Sequence, residues 1–109
     1  MVEAHVRTVG DVARLVRAKN AGPFWLTLDV FFDNHDSYRE VVESEAITGA
    51  SISELYNTSA DNVQIFTLPE LYVIKVSFPR PTTQGAFNDR DMHSGQQSAP
   101  LAALPLAMR

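Results

Sequence analysis

Apolar and other residues alternate most regularly between Phe24 and Phe32. Phe24, Leu26, Leu28, Val30 and Phe32 fall on one side of an extended chain, and Trp25, Thr27, Asp29 and Phe31 on the other. One side is wholly apolar and the other half apolar, the pattern of a central strand covered on both faces. Asp29 interrupts the second side. A carboxylate between Trp25 and Phe31 needs an arginine, a backbone donor or a wet interface to offset its desolvation. Two more strands are expected at Val63–Thr67 and Leu71–Phe78, the latter with Tyr72, Ile74, Val76 and Phe78 on one face and Lys75 and Ser77 on the other. The link Leu68-Pro69-Glu70 is too short for a parallel crossover, so the two form an antiparallel hairpin.

The spacing changes to helical elsewhere. Thr8 can cap a helix with Asp11 in its first turn. Val9, Val12, Leu15 and Val16 share one face, Arg14, Arg17 and Lys19 occupy the second half, and Asn20, Gly22 and Pro23 stop it. After a turn over Asp33–Asp36, Ser37 and Glu40 make a capping box for a second helix ending near Glu45. Thr48 or Ser51 caps a third, with Ile52, Leu55 and Tyr56 as its apolar stripe. Residues 1–7 are an edge strand or a loose terminus. Pro79 and Pro81 stop the sheet, and Leu101–Met108, interrupted by Pro105, reads as an edge strand or arm over 101–109. The order of elements predicts one α+β domain spanning 1–109. It has a mostly antiparallel sheet of about four strands and two or three helices packed on one face.

The chain has 109 residues, 45% of them hydrophobic. That supports one core, but a small domain is marginal alone, so a homo-oligomer or a partner subunit is expected. A net charge of −4 argues against a nucleic-acid partner. No run of about 18 apolar residues suggests a membrane span, and the first residues lack the apolar core of a signal peptide. The chain has no cysteine. Disulfides, thiolate catalysis and cysteine zinc sites are thereby excluded, and a cytoplasmic location is expected.

Chemistry concentrates between Phe78 and Pro100, where residues 79–100 show no hydrophobic period and read as a long functional loop. Asp89, Asp91 and His93 are the catalytic candidates: the imidazole titrates near neutrality and either carboxylate can orient it. Arg80 and Arg90 can clamp a carboxylate through paired hydrogen bonds, and Gln96 and Gln97 can donate to a ligand or to a neighbouring chain. Lys19 and Asn20, with the open backbone at Gly22, form a further candidate anion site. Each has a plainer reading: a salt-bridged brace around Arg90, amides that pin the loop, and a helix C-cap at Asn20 and Gly22 whose dipole disfavours an anion. Asp89, Asp91 and His93 alternate as metal ligands can, but no stronger ligand motif accompanies them, and neither a metal nor a cofactor is expected. The Phe and Trp residues are assigned to the core.

Three stretches carry a family likeness: KNAGPFWLTLDVFFD (Lys19–Asp33), ITGASISELY (Ile47–Tyr56), and VIKVSFPRP with GAFNDRDMHSGQQSAPL (Val73–Leu101). With them the chain resembles a small bacterial domain of unknown function that accompanies, or is fused to, the AtuA family of acyclic terpene utilisation. The resemblance covers nearly the whole chain and implies an AtuA-like larger partner acting on branched or dicarboxylic acids, often as acyl-CoA thioesters. It implies no catalytic residues. The expected function is therefore an accessory subunit presenting its polar loop to a shared carboxylate or acyl-CoA cleft. A stand-alone homo-oligomeric lyase or isomerase acting on a small carboxylate, and a pure scaffold, are the alternatives.

Overall fold

A computed structural model describes residues 7–22, 24–79 and 97–106. Its chain order is α1 (Val9–Val12), β1 (Leu15–Asn20), β2 (Trp25–Phe31), α2 (His35–Ser44), α3 (Gly49–Tyr56), a 3-10 turn (Ala60–Asn62), β3 (Gln64–Leu68), β4 (Val73–Pro79) and α4 (Ser98–Ala102). The four strands form an antiparallel sheet in the order β1-β2-β4-β3, which confirms the α+β reading. The strand that alternates most clearly in the sequence, β2, is central.

The first helix is shorter than its spacing suggests. Thr8 caps it as expected, its hydroxyl accepting from the Asp11 N–H while the Asp11 carboxylate accepts from the Thr8 N–H. But Ala13 is already extended, and Arg14 N–H donates to the Phe31 carbonyl at 2.8 Å to start the β1–β2 ladder. Leu15–Asn20 fits both periods. Val16, Ala18 and Asn20 face inward and Leu15, Arg17 and Lys19 outward, as a strand requires. Sheet pairing decides between the two, because it satisfies one edge of β2 and places Arg17 opposite Asp29. The α2 cap also differs. Asn34, not Ser37, is the N-cap, and its side chain accepts from the Ser37 N–H at 2.9 Å, so the helix starts earlier in the stretch read as a turn.

All four helices lie on one side of the sheet. Leu26, Leu28, Val30, Ile74, Val76 and Phe78 from the strands meet Val9, Val41, Ile52 and Leu101 from the helices in one buried cluster. Gly10 lets α1 approach α4 closely: a Cβ there would lie 2.9 Å from the Ala102 carbonyl oxygen. After α4 the chain makes a single antiparallel bridge between Thr8 and Pro105, closed by Val9 N–H to Leu104 O and Leu106 N–H to Arg7 O, each 2.9 Å.

On the opposite face the expectation that β2 is covered on both sides holds in part: Asp29 is buried and Thr27 and Phe31 are half-buried, while Trp25 at the end of the strand is exposed. None of its outward residues belongs to the core cluster. Trp25 and Phe66 are 36% and 50% exposed, and Phe24 at the turn is 61% exposed, so these three aromatics are not core residues. Asp29 and Val73 are nevertheless buried on this face.

Candidate functional site

Tyr56 is the last residue of α3. The helix is fixed at its start by Thr48 and Ser51, which cap each other's backbone N–H groups, and at its end by Asn57 in the left-handed conformation (φ 55°). The Tyr56 ring packs on Phe78 of β4 with centroids 5.0 Å apart. Its hydroxyl donates to the Gln97 carbonyl and accepts from the Leu101 N–H at 3.1 Å. Burial penalises the phenolate and pushes the Tyr56 pKa up to about 12, against a smaller opposing effect of the Leu101 N–H. The group is thus a neutral donor at physiological pH.

This contact ties together the two ends of the segment that carries most of the candidate chemistry. β4 ends at Pro79, one residue past Phe78, and the chain is described again from Gln97. Both flanks of segment 80–96 therefore converge on one side chain. In the sheet register Pro79 pairs with Trp25, so β4 ends beside the β1–β2 turn. That turn is closed by Ala21 N–H to Trp25 O at 2.9 Å and uses the positive φ of Gly22, 81°.

A second cluster lies on the open sheet face. Arg17, Asp29, Lys75 and Phe66 form one row across the four strands. Asp29 is 2% exposed, with the Arg17 guanidinium at 3.5 Å from one carboxylate oxygen and the Lys75 ammonium at 3.9 Å from the other. That second oxygen, Oδ1, is buried without a hydrogen-bond partner among the described residues. Arg17 also stacks over the Phe31 ring at 5.3 Å. The next row carries Lys19, Thr27, Ser77 and Gln64, with the Thr27 and Ser77 hydroxyls 3.4 Å apart.

Of the residues singled out from the sequence, Arg80, Asp89, Arg90, Asp91, His93 and Gln96 lie outside the described residues. Lys19, Asn20 and Gln97 lie within them. Lys19 and Asn20 end β1, and their alternation puts Lys19 on the open face and Asn20 half-buried on the other. They do not converge on one ligand-sized point. Since β1 is a strand, no helix dipole disfavours an anion at Lys19. Gln97 joins the site through its backbone carbonyl. Tyr56, assigned only to an apolar stripe, is the residue the sequence reading missed; the sole signal was a hydroxyl on the buried face of a helix, which must find a partner. Asp29 does pair with an arginine, as its setting required.

A family model described as a domain of unknown function, DUF4387, matches residues 9–105. The chain belongs to the DUF4387 family. The match runs from the start of α1 to the Pro105 bridge and includes both the Tyr56 contact and the Asp29 row. No curated protein and no solved structure shows significant similarity to it. In this DUF4387 chain no three histidine, aspartate or glutamate side chains gather as metal ligands do, among the described residues. No helix among them is long and apolar enough to cross a membrane.

Proposed function

We propose that this DUF4387 chain is an accessory subunit of a larger AtuA-like protein, and that it presents segment 80–96 to a carboxylate or acyl-CoA ligand in a shared cleft. The observation that carries the reading is the Tyr56 contact. A buried hydroxyl, satisfied on both sides, holds the two flanks of a polar segment against the core. Segments fixed at their ends on a rigid scaffold are where binding residues concentrate. The segment offers Arg80 and Arg90 as carboxylate clamps, Gln96 as a donor, and Asp89, Asp91 and His93 as proton-transfer groups.

Arg80 is the decisive residue. It stands between Pro79 and Pro81, which restrict its backbone, so orienting it costs little entropy. The test mixes the purified chain with an AtuA-like protein from the same genome, follows complex formation by light scattering, and titrates the complex with acetyl-CoA and with succinate. Complex formation is expected, with binding of one probe that Arg80→Ala abolishes; loss of such a contact costs about 2–5 kcal/mol. The melting temperature of Arg80→Ala should stay near that of the parent. A variant that melts early but binds normally would make Arg80 structural. Absence of any complex would refute the accessory reading.

A further inference from the structure

We infer that the open sheet face binds the phosphate group of a small soluble metabolite, placed over the Thr27 and Ser77 hydroxyls between Lys19 and Lys75. The inference goes beyond the accessory reading and does not depend on it.

The distribution of charge supplies the first argument. The chain has a net charge of −4. Outside this face each described cation has an acid of its own: Arg7 with Glu40, Arg14 with Asp33 and Arg39 with Glu43. On the face Arg17 and Lys75 share one carboxylate, Asp29, and Lys19 has no acid partner among the described residues. Arg17 is committed there, since its guanidinium both pairs with Asp29 and covers the Phe31 ring. It offsets the Asp29 charge and leaves the two lysines uncompensated, a pair that suits one dianion. Both are open to solvent: Lys19 is exposed, and the Lys75 side chain is 41% exposed.

The register places hydroxyl donors between the lysines. Phe32 N–H donates to the Tyr72 carbonyl, and bonded pairs alternate from there along β2 and β4. Thr27 and Ser77 therefore face each other without backbone bonds between them, the arrangement that brings side chains closest, with Cα atoms about 4.5 Å apart. Their hydroxyls are 3.4 Å apart and half-buried. Only one proton lies between two hydroxyl oxygens, so the other hydroxyl keeps a proton to donate to a ligand. Lys19 is the cross-strand neighbour of Thr27, and Lys75 lies two residues before Ser77 on the same side. Their flexible stems can bring two ammoniums over the hydroxyl pair from opposite directions. Planar carboxylates are matched by the arginine fork, whereas lysine serves phosphate as a point charge, and the uncommitted cations here are lysines. Donors arriving from three directions suit a tetrahedral group.

Titration of the full chain with glycerol 3-phosphate tests this, followed by amide chemical shifts at constant ionic strength and about pH 8, where the ester is a dianion. Saturable binding is expected, with a Kd on the order of 1 mM and the largest shifts at Thr27 and Ser77. Trp25, the chain's one tryptophan and one outward position from Thr27, should change its emission over the same range. Lys19 is not among the partners of Asp29, so Lys19→Gln should fold normally, yet weaken binding about 10-fold. Ser77→Ala should weaken it about 5-fold. Arg39→Gln, on α2, should leave it unchanged. Succinate binding as tightly as glycerol 3-phosphate would overturn the assignment to phosphate. Shifts that fail to saturate by about 20 mM, or that persist in Lys19→Gln, would reduce the patch to a diffuse ion atmosphere and overturn the site. Co-sedimentation with phosphatidic acid vesicles, without binding of the free ester, would overturn it in favour of a lipid surface.

Discussion

The Tyr56 hydroxyl shows how much one polar atom on a buried helix face can determine. It accepts from the Leu101 N–H, a backbone group with no water to turn to, and donates to the Gln97 carbonyl. Tyr56→Phe keeps the ring against Phe78 but leaves both backbone groups without that partner. Stability should fall by about 1–3 kcal/mol, measured as a lower urea midpoint, and amide exchange should rise most at Leu101. The same hydroxyl gives a pH test. Its folded-state pKa, about 12, lies above the ordinary tyrosine value of 10.0. The stabilisation is therefore complete below pH 10 and is lost as pH climbs toward about 12, because the unfolded chain releases the proton first. Denaturation at pH 9, 10 and 11 should show stability declining with pH in the parent and a shallower decline in Tyr56→Phe; equal slopes would mean that other groups govern it.

At the level of elements, the sequence disclosed those whose pattern admits a single period. β2 and β4 alternate without ambiguity, and the β3–β4 hairpin follows from its short link; the pairing of β2 with β4, across two helices, does not. β1 did not show itself, because Leu15–Asn20 satisfies a helical spacing with Val9 and Val12 as well as an alternating one. Only tertiary pairing with β2 separates the two. The Asn34 cap was obscured by Ser37 and Glu40, a local match that sits three residues too late. The Tyr56 contact was illegible for a different reason: its partners are 41 and 45 residues away, and no local pattern encodes such a distance. The short α1 gains its stability from α4, and Gly10 is where they touch. Gly10→Ala would normally favour a helix by about 1 kcal/mol. Here the new methyl meets a backbone carbonyl that cannot swing aside, so a net loss of about 1–3 kcal/mol is expected. A calorimetric melt decides it, and an unchanged or higher midpoint would show that α1 and α4 can separate without cost.

Across the whole molecule, the segment proposed to bind ligand is separable from the core that holds its ends, and one variant exposes that. Segment 80–96 has 17 residues, and its flanks, Phe78 and Gln97, both touch Tyr56. A Gly/Ser linker of about eight residues spans up to about 28 Å when extended, ample for two residues held by one side chain. Closing a chain of half the length changes the closure entropy by only about 0.6 kcal/mol, in favour of the shorter one. If the core is built by the elements described above, the replacement should keep its fold, with a melting temperature within a few degrees of the parent. It should lose binding of acetyl-CoA or succinate in the complex with the AtuA-like protein, because Arg80, Asp89, Arg90, Asp91, His93 and Gln96 are gone. An unfolded replacement would make segment 80–96 part of the core. A folded replacement that still binds the probe would move the ligand contacts off the segment.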